Sequence, residues 1–284
     1  MTLSGKTLGE HRTSRMSAFY ALVAVIAALW FFPVILIVIT SLKSNADFYV
    51  GSIFSIPRVL HFENFQEAWR VGRMSQYFKN SVLVCLIKIP IGLVLNSMAA
   101  FGLAKMRFRF ERPFFVFFLL GMMLPIHVAL VPLTILLNKT HMLDTLWAVI
   151  IPYIGFYIPF SVFLLRGYFR TIPPELDDAA RIDGCSDFVR YWRIILPLAL
   201  PVLATLIILD FLGSWNEFLM ALLFLRTDQH RTLPLGLMNY RDRYVSRYNL
   251  IASGVLISAG PVTLVYLIFQ RYFIKGVTAG SLKG

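Results

Sequence analysis

Long apolar runs separated by short polar connectors dominate the chain, and six of them, starting near Ala18, Tyr77, Phe114, Thr145, Pro197 and Leu250, are each about 20 residues or longer. A run of that length crosses the roughly 30 Å of bilayer hydrocarbon as a helix, since only a helix satisfies its own backbone there. The pattern predicts an all-α polytopic membrane protein with six transmembrane helices, at 18–41 and about 77–103, 114–137, 145–166, 197–215 and 250–273. It divides the chain into a tail at 1–17, a first span at 18–41, an aromatic-bearing polar loop at 42–76, a core at 77–273 and a tail at 274–284. Residues 216–225 stay apolar without room for another crossing, which predicts a re-entrant or interfacial piece. Within the core, the second span is interrupted by Lys88, Pro90, Asn96 and Ser97, and the third and fourth carry Pro125, Pro132, Pro152 and Pro159, where kinks are expected.

The connector at 171–196 between the fourth and fifth spans has a different character. Pro173 and Pro174 suit a first helical turn, where the donor they lack has no partner anyway. Glu175, Asp177 and Asp178 complement the positive end of the helix dipole, and Gly184 can take the left-handed conformation that closes a helix. A helix is therefore expected from 174 to about 184. Leu176, Ala179, Ala180 and Asp183 share one face, with two small side chains at its centre that allow another surface to approach closely. From Ser186 to Ile195 aromatic and basic residues alternate, as in an interfacial helix leading back to the bilayer.

Composition then narrows the class. At 58% hydrophobic and a mean hydropathy of +0.70 the chain is no ordinary soluble domain. Its net charge of +12 does not indicate a nucleic-acid partner, because the basic residues sit beside the ends of apolar runs rather than in one stripe. They are densest in the termini and in the connectors at 104–113 and 166–193, which predicts that both termini and the 171–196 connector are cytoplasmic. The first apolar run is too long for a cleavable signal and reads as a retained anchor. Cys85 and Cys185 form no paired motif, and the histidines at 11, 61, 127, 141 and 230 show no metal-ligand spacing. Gly5-Lys6-Thr7 lacks the upstream glycine of a phosphate-binding loop. No catalytic residues and no cofactor bound by this chain are expected.

Asp178-Ala179-Ala180, Gly184 after three intervening residues, then Ile194, Leu196 and Pro197 resemble the EAA loop of ABC-importer permease subunits, with Asp178 where the usual first residue is Glu. From Tyr77 onward the chain is similar to the carbohydrate-uptake branch, including a maltose-transporter membrane subunit. The supporting stretches are Met123-Leu124-Pro125 with Val131-Pro132, the segment 169–196, Trp215-Asn216-Glu217-Phe218-Leu219 and the tail from Gly276 to Gly284. The resemblance implies a permease of a binding-protein-dependent importer in the bacterial cytoplasmic (inner) membrane, with a cytoplasmic coupling-helix (EAA) loop between helices 4 and 5. It implies a second homologous permease, an ATPase dimer that binds the ATP and Mg, an extracytoplasmic solute-binding protein and a sugar substrate. Coupling to the ATPase would fall to Glu175, Asp178, Ala179, Ala180, Asp183, Gly184, Leu196 and Pro197, and the glycine-rich tail would lie within reach of the ATPase pair.

Two intramembrane charges stand outside that pattern. Lys88 lies inside Asn80 and Asp210 inside Asn216 by matching depths of roughly 9 to 12 Å. Either residue alone is costly in a span, about 2.5 to 3.5 kcal/mol, so an ion pair or a hydrated sugar path is expected, with outward snorkelling of Lys88 as the alternative. Phe156, Tyr157 and Asn216 are candidates for the same path. An ion-coupled transporter acting alone, or a permease for amino acids or peptides, are the competing readings.

Overall fold

The structure, a computed structural model, describes residues 5–241 and 246–281; the outermost parts of both expected tails, 1–4 and 282–284, lie outside the described residues. The chain divides into two compact units, 1–71 with 240–257 and 72–239 with 258–284.

The first unit starts with helix α1 (Gly5–Ser41), so residues 5–17 continue the first span as helix instead of forming the separate tail expected. Its apolar part, Phe19–Ser41, is exposed over most of its length, as suits a helix surrounded by lipid. The polar loop folds into α2 (Asn45–Val50), capped by the Ser44 hydroxyl, and α3 (Glu63–Val71). Asn64, buried, donates to the carbonyls of Ser41 (2.8 Å) and Lys43 (2.9 Å) and accepts from Asn249 (2.9 Å), tying α3 to the end of α1.

The second unit is built on α4 (Met74–Lys105), which packs most extensively on α7 (Trp147–Phe169). Tyr77, Ser81, Val84, Lys88, Gly92, Asn96, Ala100 and Leu103 recur at helical spacing and are all buried, while Leu86, Ile91, Val94, Leu95 and Met98 are exposed. The polar interruptions of this span thus share one inward stripe with Val84, Ala100 and Leu103, and the opposite, exposed side is wholly apolar at these five positions, as suits a bilayer.

The third span is not one straight helix. α5 (Glu111–Met123) and α6 (Ile126–Lys139) meet at 96° across Leu124-Pro125, because Pro125 lacks the donor and the space to continue α5. After the connector come α8 (Pro174–Ile182), α9 (Asp187–Arg190), a π turn (Tyr191–Ile195) and α10 (Leu196–Leu198). The stretch Asp187–Leu198 makes an angle of 77° with α11 (Leu200–Trp215), consistent with the interfacial helix expected, and moves the start of the fifth span from 197 to 200. α12 (Leu219–Phe224) spans about 9 Å, too short to cross. α13 (Leu233–Gly236) follows, and α14 (Tyr248–Ser281) closes the chain, running through most of what was expected as tail.

Two apolar clusters organise this unit. One gathers Ala100, Phe101 and Leu103 of α4, Val162, Leu165 and Phe169 of α7, Tyr191, Ile195 and the start of α11; the other gathers Val84, Leu130, Leu137, Val149, Tyr153 and α12. The polar stripe of α4 from Lys88 to Ser97 lies between them in sequence and along the helix axis.

Candidate coupling site and intramembrane ion pair

α8 begins as its sequence dictates, with Pro173 at the cap and Pro174 in the first position. It ends in a Schellman turn: Gly184 has φ +75°, its N–H donates to Arg181 O (3.0 Å), and the Cys185 N–H donates to Ala180 O (2.9 Å). The carbonyls of Ala180 and Arg181 are thereby satisfied inside the chain.

The two faces of α8 differ. Glu175, Leu176, Asp178, Ala179, Ile182 and Asp183 are exposed, Ile182 by 86%, whereas Asp177 and Ala180 are buried. Ala180, at 4% exposure, makes its close approach to the chain's own body, so of the two alanines expected to meet a partner only Ala179 is available to one. Asp177 explains the inward face. Its carboxylate meets the Lys105 ammonium at 2.6 Å and the Arg190 guanidinium at 3.2 Å, and Arg190 also pairs with Asp187 at 2.5 Å. Lys105 further donates to Ile172 O at 3.0 Å. One carboxylate on α8 is thus pinned to the last residue of α4 and to the end of α9. Beside it, Glu111 at the start of α5 accepts from Arg166 (2.9 Å) and Arg170 (2.7 Å), and Arg166 donates to Leu103 O (3.1 Å).

Downstream, the π turn places Tyr191 and Ile195 in the apolar cluster, where the Tyr191 hydroxyl lies 2.8 Å from that of Ser97. Leu196 packs against the same cluster, and Pro197 is exposed just before the bend into α11.

Sequence reading passed over Asp177, Lys105 and Arg190 as functional residues. Asp177 looked like another dipole-complementing acid, and its partners lie 13 and 72 positions away, beyond any local pattern. Glu217, in the Trp215–Leu219 stretch, caps α12, accepting from the N–H groups of Met220 (2.8 Å) and Ala221 (3.1 Å) and from the Tyr153 hydroxyl. An acid just ahead of a short apolar helix was the available signal.

The structure brings Lys88 and Asp210 together as a buried ion pair between α4 and α11. The Lys88 ammonium also donates to the Ser214 hydroxyl (2.9 Å), which donates to Asp210 O (2.7 Å), and sits 4.6 Å above the Tyr157 ring. Snorkelling is thereby replaced by pairing. Phe156 is elsewhere, lining an apolar pocket with Gly121, Leu133, Pro152 and Pro159, and Asn216 is exposed at the end of α11.

Residues 89–279 match the family "Binding-protein-dependent transport system inner membrane component". The chain belongs to that family. The permease is 38% identical over 253 residues to the probable ABC transporter permease protein YurM of Bacillus subtilis, covering 89% of this chain and 84% of the relative. It is 37% identical over 265 residues to the arabinooligosaccharides transport system permease protein AraQ of Bacillus subtilis, covering 92% and 93%. Its fold matches a chain from the crystal structure of a bacterial ABC transporter that imports the acidic polysaccharide alginate, with a TM-score of 0.81 at 24% identity, over 92% of this chain and 98% of that one. A permease of this family is a transport subunit and not an enzyme.

Proposed function

We propose that this permease serves an ATP-driven, binding-protein-dependent importer for a sugar or oligosaccharide, forming the path with a second permease and coupling through α8 to an ATPase dimer that holds the ATP and Mg. On this reading both termini and α8 are cytoplasmic, and the solute-binding protein docks on the opposite side of the inner membrane. The sugar class is supported by relatives named for arabinooligosaccharides, for starch degradation products and for melibiose, raffinose and stachyose.

The observation that carries the coupling is the division of α8 into an exposed edge and a pinned face. A partner gripping Leu176, Ala179, Ile182 and Asp183, with Glu175 and Asp178 beside them, moves the helix as a rigid piece. Through Asp177 the displacement reaches Lys105 on α4 and Arg190 on α9, and from α9 the π turn passes it to the cluster packed on α11. That is the hinge-like rocking of helices expected of alternating access. Lys88, Asp210, Tyr157 and Asn216 would line or support the path.

The test is co-purification and transport. The tagged permease should retain an ATPase subunit and a second permease, and vesicles carrying the complex should take up oligosaccharide only with ATP inside and binding protein outside. Uptake driven by a proton or sodium gradient without ATP would refute the reading.

A further inference from the structure

The segment after α1 was expected as a polar loop, yet Tyr49 to Pro57, YVGSIFSIP, carries no charge. It is also among the most exposed apolar surface of the first unit: Val50, Phe54 and Ile56 are 91%, 65% and 79% exposed. The backbone N–H of His61 donates to Leu42 O (3.0 Å), so the chain leaves α1 and returns to the same level, and residues 43–60 form a closed loop.

Where the loop points is fixed by one contact. The Phe54 ring stacks on Phe32 at 6.0 Å, and Phe32 lies nine residues before Ser41, about 13 Å back along the span. Even with the whole ring separation directed outward, Phe54 stands about 7 Å inside the end of α1, and the lean of helical side chains toward the N-terminus places it deeper. The apolar part of α1, 23 residues, is about 34 Å long against about 30 Å of hydrocarbon, so assigning all the excess to this end still leaves Phe54 among the acyl chains.

Irregular backbone at that depth needs its polar groups satisfied from within. Lys43 does this for two of the loop carbonyls. It is fully buried, and its partners among the described residues are Ser52 O (3.0 Å), Ile53 O (3.0 Å) and Ser55 Oγ (3.2 Å), one for each ammonium proton. Ser55 Oγ donates to Ser52 O (2.7 Å), and the Phe54 N–H donates to Ser52 Oγ (3.3 Å).

We infer that residues 50–57 are a lipid-immersed wedge, inserted beside α1 into the leaflet facing the 42–76 loop and held in shape by the internal ammonium of Lys43; its partner is the acyl region of the bilayer. The inference depends on α1 being a span and not on the substrate.

Single spin labels at F54C and I56C, with Cys85 and Cys185 replaced by Ala, test it in the full permease and its co-purifying subunits in phosphatidylcholine–phosphatidylglycerol vesicles. Both labels should collide freely with oxygen and be shielded at least tenfold from a nickel chelate relative to a label at A46C on α2. Free access to nickel would place the segment in water and overturn the proposal. Shielding from both reagents would place it against protein, a second permease or a binding protein, and overturn it equally. K43Q should raise nickel access at position 54 several-fold, and unchanged access would remove Lys43 from the argument. If K43Q does not fold, the collision data with Lys43 intact still decide whether the wedge lies in lipid.

Discussion

At position 180 a methyl group fills a buried contact, while one residue earlier the same methyl is exposed. Enlarging the two should therefore have different consequences. Ala179→Leu should leave the permease folded and abolish retention of the ATPase, whereas Ala180→Leu should overpack the interior and destabilise the chain itself by about 1–3 kcal/mol. Thermal unfolding of each variant in detergent, beside co-purification, separates the outcomes. Equal melting temperatures would contradict the inward placement of Ala180. Helix spacing showed that Ala179 and Ala180 lie near one face, but which of them turns inward was decided by Asp177, and its ion pairs with Lys105 and Arg190 cannot be read from spacing.

Among the elements, beginnings and ends were the most legible, since caps act locally: Pro174 starts α8 and Gly184 stops it as composition predicts. The 96° break at Pro125 was foreseeable as a kink, whereas its size depends on packing between α5 and α7. Loops between elements carry their own ties. Asp144, at φ +60°, follows α6 and accepts from the N–H groups of Arg226 (2.8 Å) and Thr227 (2.9 Å) after α12. Partial burial raises its pKa, but the hydrogen bonds from Thr227 and Arg226, with His230 at 3.6 Å, outweigh it and hold the carboxyl below the ordinary 3.8. A carboxyl depressed by folding adds stability above its unfolded value and loses it as pH falls through the folded one. Asp144→Asn, which tolerates the same backbone conformation, should lower stability by about 1 kcal/mol at pH 7, the difference closing as pH falls through the depressed folded value. A difference that persists in acid would mean the charge is not what holds the loop.

On the scale of the whole molecule, the all-helical, multi-span character was plain from hydropathy, and the arrangement of the second unit as two apolar clusters along α4, with charged and polar residues between, was not. Matching depth did point to Lys88 and Asp210 as partners. Removing one member of such a pair strands the other in a dry interior, so Lys88→Met should cost about 3–5 kcal/mol, while Lys88→Met with Asp210→Leu should recover most of it. Transport then distinguishes the roles. A stable double variant that still imports would show the pair to be structural, and one that folds but does not import would assign the charges to the path.

The Schellman turn at Gly184 bears on the life history of the subunit. Because Arg181 and Ala180 find donors within their own chain, the closing turn of α8 forms without any other protein. If α8 couples to an ATPase as proposed, that turn is already in place when the motor binds and is not undone when the motor leaves.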